Sequence, residues 1–431
     1  MLNPWSGLKG LSARLWLLAT ATLINRAGTM VLAFLTLYLT KTQGYTAAQA
    51  GAFLALYGGV AIGAAPLAGR LCDRFGPLPV IVAGLLSNGL VLLAFPWAHG
   101  PWIVLATFAM AATNETTRPA ALAAVTAWSA PEERRMGFAL IRLAINLGVS
   151  IGPALGGFLA TRSFRFLFWI DGATALAAGV VLLAVAARLG LTGRVVSDRQ
   201  ERAAGGAQTR PPGSDTLRVQ AVDAPSSPAP ADPRRRRDAS PWTDGRFLIF
   251  LAVNLLVTMV FFQHNSTMAL YVVQTLGLST AIYGLMFTLN TLVIVLLEVP
   301  INAAMADWPF RRSLALGALL SGLGFGGLAL VSSAWGVAAT VLVWTFGEMI
   351  LFPTAAAFSA HCAPPERQGA YMGLYSMSSA AAFALGPWAG TRLLAAWGGP
   401  VLWGIVFLCG LVAAGLFWRM AETAPPSRVS G

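Results

Sequence analysis

Six ionisable side chains stand inside long apolar runs of this 431-residue sequence. A charge near the centre of a lipid bilayer costs about 2.5–3.5 kcal/mol, so six charges facing lipid would cost on the order of 20 kcal/mol. A typical fold is stable by only about 5–15 kcal/mol, so we expect these side chains to point inward, toward each other or toward water. Intramembrane charges of this kind mark substrate and proton pathways. The six are Arg26, Glu115, Arg118, Arg142, Glu298 and Glu348.

The segment TNETTRPAA (113–121) holds two of these charges at helical spacing. Glu115 and Arg118 lie three residues apart and share a helix face, and Pro119 weakens the helix beside them. The pair is compatible with a proton relay and equally with a permanent structural ion pair. Because Glu115 is expected to stay charged beside Arg118, Glu348 and Glu298 are the better candidates for carrying a proton. For Glu298, close to a proline near a helix end, a packing role is the alternative.

Uncharged polar residues at similar depth are further candidates for the lining of a pathway. Histidine titrates near neutral pH and can relay protons, so His264 in FFQHNSTM (261–268) is one of them. A hydrogen-bonded packing role is the alternative for it. The remaining polar candidates are Asn25, Asn146 and Asn290.

The apolar runs that must position these residues dominate the chain. It is 56% hydrophobic and 11% charged, with a mean hydropathy of +0.67, whereas soluble domains carry about 25% charged residues. Runs near twenty residues can each cross a hydrocarbon core of about 30 Å. We therefore expect an all-α polytopic membrane protein without a cleavable signal peptide. Its twelve predicted transmembrane helices cover 12–38, 47–69, 78–98, 101–125, 137–160, 165–188, 246–272, 279–304, 312–332, 335–359, 369–394 and 398–420.

The net charge of +12 has a topological explanation and does not require a nucleic-acid partner. Most of the 29 lysines and arginines fall on the N-terminal side of the predicted membrane. The exceptions on the opposite side are Lys41, Arg162, Arg165 and Arg392. The positive-inside rule then places both termini in the cytoplasm of a cell-membrane protein.

A Pro- and Arg-rich segment at 190–242 divides the chain into two halves of six predicted spans. Its composition predicts a disordered cytoplasmic linker, and its arginines at 234–237 offer a contact to anionic lipid as an alternative to a plain tether. The predicted units are an N-terminal bundle (1–189), a C-terminal bundle (243–421) and a cytoplasmic tail (422–431).

The two halves repeat each other at a constant offset of 234 residues. Parallel repeats of this kind are a transporter architecture. The matching pairs are Asp73 and Asp307, Pro119 and Pro353, Pro131 and Pro365, Glu132 and Glu366, Gly152 and Gly386, Pro153 and Pro387, and Gly156 and Gly390.

The segment GRLCDRFG (69–76) resembles the loop between the second and third helices of the major facilitator superfamily. Its matching residues are Gly69, Asp73, Arg74 and Gly76. The second copy, ADWPFRR (306–312), keeps Asp307, Arg311 and Arg312. The resemblance implies two pseudo-symmetric six-helix bundles, with the acidic loop residue latching one conformational state from the cytoplasmic side. It also implies a role in proton coupling for Arg118, and a central cavity in which Arg26 could reach Glu115.

The segment GVSIGPALGG (148–157) resembles the fifth-helix motif GxxxGPxxGG of drug:proton antiporters. Glycines four residues apart fall on one helix face and let another helix approach closely, while the proline invites a bend. Ordinary small-residue packing is the alternative. The motif residues are Gly148, Gly152, Pro153, Gly156 and Gly157, repeated in the second half at Gly386, Pro387 and Gly390.

These resemblances imply a secondary transporter that exports small amphipathic compounds in exchange for protons by alternating access. An uptake symporter and an exporter of an anionic or zwitterionic metabolite or lipid remain alternatives. We expect no enzymatic activity, metal or cofactor, because an HExxH motif and a phosphate-binding GK[ST] loop are absent from the sequence. The expected energy source is the proton gradient, and the expected partners are a small-molecule substrate, protons and membrane lipids around a monomer.

Overall fold

The computed structural model describes residues 11–129, 134–188, 241–305, 307–364 and 367–420. Within these ranges all regular secondary structure is helical. Nearly all of the predicted linker and the whole predicted tail lie outside the described residues, as do the repeat positions Pro131, Glu132, Pro365 and Glu366.

The described residues of the first half form seven α-helices where six spans are predicted, because the first span is interrupted at Thr29 and Met30. The sequence there contains no proline that would predict a break. The helices are α1 (Ala13–Gly28), α2 (Val31–Lys41), α3 (Ala47–Phe75), α4 (Pro77–Ala94), α5 (Pro101–Trp128), α6 (Arg134–Arg162) and α7 (Arg165–Arg188).

The second half repeats this arrangement with a distorted counterpart of the first span. After α8 (Gly245–Phe261) the chain continues through a 3₁₀ turn at Phe262–Asn265, a short helix at Thr267–Leu270 and a π turn at Tyr271–Thr275. The remaining helices are α9 (Thr280–Ala304), α10 (Phe310–Gly326), α11 (Ala334–Cys362) and α12 (Gln368–Arg419).

Local sequence explains several of the helix ends. Thr46 and Gln49 form a capping box at the start of α3, in which each side chain satisfies a backbone N–H of the first turn. Gly76 lies between α3 and α4 with φ 84°, a conformation that favours glycine. Pro77 is the first residue of α4, where a proline sacrifices no helical hydrogen bond.

Within the described residues, ten helical segments are long and apolar enough to cross a membrane. The helix α5, which carries the polar segment 113–118, is not among them, and α12 counts as one segment although Gly398 interrupts it with φ 76°. The predicted all-α polytopic membrane fold is therefore confirmed, and the number of twelve crossings stays a prediction.

Buried apolar residues form one core shared by both halves and one core private to each half. The face where α1 begins and α12 ends is here called the near face, and the opposite one the far face. The shared core contains Phe34 of α2 together with Tyr283 of α9 and lies toward the far face. The private cores, around Leu15 in the first half and Phe250 in the second, lie toward the near face. The halves thus share an apolar core toward the far face, whereas toward the near face each half has its own core.

Candidate functional site

The carboxylate of Glu115 is held at mid-length of α5 by neutral partners. Its Oε1 accepts a hydrogen bond of 2.8 Å from the hydroxyl of Tyr57 in α3. That hydroxyl in turn accepts a hydrogen bond of 2.6 Å from Nδ2 of Asn114. Tyr57 is buried, so the three residues form a polar chain inside the first half.

The two arginines expected beside Glu115 remain apart from it. Arg26 of α1 interacts electrostatically with Glu115, and more weakly with Asp171 of α7. Arg118 is exposed and acts across the division between the halves on Tyr375 of α12. Within the described residues neither arginine forms an ion pair with Glu115. Arg26 is therefore within electrostatic reach of Glu115, but neither Arg26 nor Arg118 is paired with its carboxylate in the described residues.

In the second half, Glu348 and Asn290 meet. Nδ2 of Asn290 in α9 donates to Oε2 of Glu348 in α11 at 2.8 Å, and to the hydroxyl of Thr345 at 3.0 Å. Asn290 is buried and Glu348 half-buried. The arrangement resembles that of Glu115: a carboxylate at mid-length of a helix, fixed by one neutral donor.

His264 lies in an aromatic surrounding. Its Nδ1 donates to the carbonyl of Phe261 at 2.7 Å, which leaves Nε2 as the nitrogen that can accept a proton. The ring stacks on Trp344 with centroids 5.9 Å apart and contacts Phe262 and Phe287. Aromatic faces of this kind pack well against flat apolar or cationic molecules.

An ion pair joins the two halves. Arg142 of α6 pairs with Glu298 of α9, in the part of both helices that is closer to the near face. The Arg142 side chain is 62% exposed and that of Glu298 14%. The pair thus borders the gap between the private cores rather than the packed interior.

The remaining polar candidates are less engaged. Asn25 is buried and Asn146 half-buried. Among the described residues, neither amide side chain forms a hydrogen bond.

The glycines of the fifth-helix motif pack α6 against the break in the first span. A side chain at Gly152 would place its Cβ 2.6 Å from the carbonyl oxygen of Thr29. A Cβ at Gly148 would likewise be too close to Arg26, and one at Gly156 too close to Met30. Their spacing is what allows α6 to approach the interrupted segment.

Gly157 lies on another face of α6 and contacts the second half. Its carbonyl accepts a hydrogen bond of 2.9 Å from the hydroxyl of Thr280 in α9. A Cβ at Gly157 would lie 2.5 Å from the carbonyl of Thr280. Pro153 lies within α6, and its carbonyl faces Gly284 of α9.

The repeated motif plays the corresponding part in the second half. A Cβ at Gly386 would lie 2.9 Å from the carbonyl of Met259 in α8. Gly390 faces Gln263, whose Nε2 donates to the carbonyl of Gly386 at 2.8 Å. Pro387 lies between them within α12. Gln263 is the repeat position of Thr29, so both copies of the motif support a distorted segment.

The loop motifs lie at the near face. Asp73, Arg74, Asp307 and Arg312 are exposed there, and Arg311 is half-buried. The Arg311 guanidinium lies over the ring of Trp418 at 5.5 Å. Of the two motif glycines, Gly76 has the positive φ noted above, while Gly69 lies in open space inside α3.

Asp171 of α7 belongs with the intramembrane charges but is absent from the sequence-based candidates. It is buried, and its Oδ2 accepts hydrogen bonds from the backbone N–H groups of Met30 and Val31. The signal that could have found it is FWIDG (168–172), which places a carboxylate inside the apolar run 165–188.

The chemistry open to this region is proton and ligand binding. Carboxylates with one neutral hydrogen-bond partner can take up and release protons as their surroundings change. Within the described part of the chain, His, Cys, Asp and Glu form no cluster that could hold a metal ion. Two of the charged residues, Arg118 and Arg142, act directly on groups of the other half.

The profile of the family described as Major Facilitator Superfamily matches residues 18–282 and 250–431. Among curated proteins, the chain is 27% identical over 400 residues to the uncharacterised MFS-type transporter YqjV of Bacillus subtilis, covering 90% of this chain and 87% of the relative. It is 24% identical over 374 residues to a Na(+), Li(+), K(+)/H(+) antiporter of Planococcus maritimus, covering 82% and 83%. A shorter match of 156 residues, 30% identical, links it to the multidrug resistance protein MdtH of Photorhabdus laumondii, covering 36% and 37%.

Solved structures share the fold. The peptide transporter POT superposes with a TM-score of 0.72 at 18% identity, covering 94% of this chain and 93% of that one. The nucleoside transporter NupG gives a TM-score of 0.72 at 12% identity, covering 94% and 99%. The chain is a multi-pass membrane transporter, not an enzyme, and it belongs to the Major Facilitator Superfamily.

Proposed function

We propose that the chain is a proton-coupled exporter of small amphipathic compounds that works by alternating access. The observation that carries the proposal is the distribution of apolar packing: one core joins the halves toward the far face, while toward the near face each half has a core of its own. Glu115, Arg118 and Glu348 border this division. In a transporter built from two repeats, rocking of the halves exposes such a site to either side in turn.

Export of amphipathic cargo is supported by the surroundings of His264. Aromatic rings of Phe261, Phe262, Phe287 and Trp344 gather around His264, which suits a cargo with a flat apolar part. The likeness of the fifth helix to the motif of drug:proton antiporters and the match to a multidrug resistance protein agree with this direction.

The proton gradient is the proposed energy source. One proton moving through about 100 mV supplies about 2.3 kcal/mol, which corresponds to roughly a fifty-fold gradient of a neutral cargo. The excess of basic residues in the near-face loops supports an orientation with both termini in the cytoplasm, and in that orientation cargo entering from the near face leaves the cell.

A zwitterionic or anionic cargo is the second candidate. It is favoured by Arg26 and Arg118, which lie near the division without an ion pair to Glu115 in the described residues. A carboxylate on the cargo would find these arginines in the first half, and an amine would find Glu348 in the second.

The test uses inverted membrane vesicles from cells that produce the chain. With an acid-inside gradient, we expect ethidium, an aromatic cation, to accumulate and to leave again when the gradient is collapsed. An amino acid and Na⁺ are tested in parallel to cover zwitterionic cargo and cation exchange. If the vesicles bind the same amount of ethidium with and without the gradient, and do not accumulate it, the proposal is contradicted.

The coupling residue is tested with E348Q and E115Q. We expect gradient-driven accumulation to be lost in at least one of them. The matched control is D244N, since Asp244 is a carboxylate that caps α8 away from the division. Unchanged accumulation in both glutamate variants would remove these residues from the proton pathway.

A further inference from the structure

The break in the first span is held by a buried carboxylate from another helix. The helix α1 ends at Gly28 and α2 begins at Val31. Between them, Oδ2 of Asp171 accepts hydrogen bonds from the N–H groups of Met30 at 3.1 Å and Val31 at 3.2 Å. A carboxylate in this position satisfies backbone donors that the helix cannot and interacts favourably with the positive end of its dipole.

The second oxygen of the carboxylate is available. Asp171 is 4% exposed, and its Oδ1 accepts no hydrogen bond from any residue that the structure describes. The side chain lines a small cavity of mixed polarity, whose other polar members are Thr29, Tyr57, Asn88 and Asn114 and whose apolar members are Val31, Leu32, Leu92 and Met110. A proton carried by water in this cavity could reach Oδ1.

Few charged groups of the described residues lie near Asp171. Arg26 of α1 is the cation that acts on it electrostatically. Tyr57 of α3 stands on the cavity wall and is bonded to Glu115 of α5, and α4 carries no ionisable side chain. Other ionisable groups of α2 and α6 have partners elsewhere, since Tyr38 is bonded to Gln43 and Arg142 is paired with Glu298. Lys41 and Arg162 are exposed.

The helix whose start Asp171 holds is also the helix that closes the far face. The hydroxyl of Tyr283 in α9 donates to the carbonyl of Ala33 in α2 at 3.2 Å, and the rings of Tyr283 and Phe34 lie 5.3 Å apart. Nε2 of Gln274 donates to the hydroxyl of Thr40 at 2.7 Å. Movement of α2 would therefore loosen the contact between the halves.

The break is also the natural pivot for such a movement. On one side, Gly152 of α6 lies against the carbonyl of Thr29. On the other, Gly28 lies against the side chain of Thr174, one turn after Asp171 in α7. The interrupted segment is thus clamped between two helices of its own half, while α2 beyond it contacts the other half.

We propose that Asp171 is a proton-binding site that controls the closure of the far face through α2. As a carboxylate it forms charge-assisted hydrogen bonds, which are roughly twice as strong as neutral ones, and these hold the start of α2. Protonation at Oδ1 removes the charge, weakens both bonds to the backbone and lets α2 tilt away from α9. The far face then opens more readily as the pH falls.

The proposal rests on the proposed function only in assuming a carrier whose halves move. Its test therefore needs no cargo. Spin labels on T42C and T275C, at exposed positions of the far face, report the distance between the halves in lipid nanodiscs, in a background with Cys72, Cys362 and Cys409 replaced by Ser. We expect the wild-type distribution to shift to longer distances as the pH is lowered.

The decisive variant is D171N, because an asparagine keeps an acceptor oxygen for Met30 and Val31 but cannot bind the proton. We expect the pH-dependent shift to be lost in D171N and retained in D244N, which removes a carboxylate cap at the start of α8. Should D171N not fold, D171S takes its place with the same expectation. A D171N or D171S protein that keeps the wild-type response would overturn the proposal, as would a wild-type protein with no response. A failure of ethidium transport alone would contradict only the proposed function.

Discussion

At Glu115, the carboxylate accepts a hydrogen bond from Tyr57, while the arginine three residues along the same helix is exposed toward the other half. The sequence spacing correctly places both charges on α5, but it cannot reveal that a tyrosine of α3 provides the partner. The same holds for Asp171, whose two backbone partners lie 140 and 141 residues earlier in the chain. Contacts of this range follow from tertiary packing, which local patterns do not contain.

Replacing Tyr57 by Phe should impair coupling without unfolding the protein. The change removes the hydroxyl that bridges Glu115 and Asn114, and a half-buried carboxylate left without its donor costs about 1–3 kcal/mol. We expect a lower melting temperature and a several-fold loss of gradient-driven ethidium accumulation.

The control for this change is Y45F, because the hydroxyl of Tyr45 makes only a long contact of 3.4 Å to the carbonyl of Gly100 at the exposed edge. Equal effects of Y57F and Y45F on accumulation would contradict the role given to Tyr57.

Among the helices, the two distorted segments are what the sequence does not predict. The apolar runs locate the helices well, since length and hydropathy are local properties. The break at Thr29 and Met30 depends on Asp171 and on the glycines of α6, and the distortion after α8 depends on Gln263 bonding to α12. The sequence identifies the fifth-helix motif, but it does not reveal that the motif packs against the interrupted segment of the first span.

Replacing Gly152 by Ala should separate α6 from the break. The added Cβ would lie 2.6 Å from the carbonyl of Thr29, and overpacking of this kind costs about 1–3 kcal/mol. We expect a lower melting temperature and reduced transport. The control is G63A in α3, where the same atom meets open space and alanine is favoured by about 0.5–1 kcal/mol in a helix. A G152A protein as stable as G63A would contradict this packing role.

The two glycines of the first loop motif should respond differently to substitution. G76A forces a side chain into a backbone with φ 84° and ψ 160°, at a cost of about 1–3 kcal/mol, whereas Gly69 is helical and a side chain there would meet open space. We expect G76A to lower the melting temperature and G69A, like G63A, to raise it slightly. Thermal unfolding of the two purified variants distinguishes this from a motif in which both glycines serve the same purpose.

For the molecule as a whole, the relation between the halves is the property that transport depends on. The shared far-face core and the two private near-face cores describe one arrangement of a carrier. The repeat offset predicts two similar halves, but it does not specify at which face they meet. That depends on pairs such as Tyr283 with Ala33, and Arg142 with Glu298, which connect helices of different halves.

Linking the halves at the far face should stop transport. With the native cysteines replaced, T40C and Q274C stand where the two side chains are hydrogen-bonded at 2.7 Å. We expect a short bifunctional thiol reagent to abolish ethidium accumulation and, when the linker is cleavable, a reductant to restore it. Each single-cysteine variant treated in the same way is the control. Full activity of the linked protein would show that the far face need not open.

Thr40 and Gln274 carry one more consequence, because they are separated by 234 residues and are therefore counterparts of each other in the duplicated sequence. An unduplicated ancestor working as a symmetric pair would have presented the same amino acid twice at this point, so that any mutation changed both sides together. After gene fusion the two positions were able to diverge, and one now supplies an amide donor while the other supplies a hydroxyl acceptor. The present bond between an amide and a hydroxyl therefore joins counterpart positions that no longer carry the same amino acid.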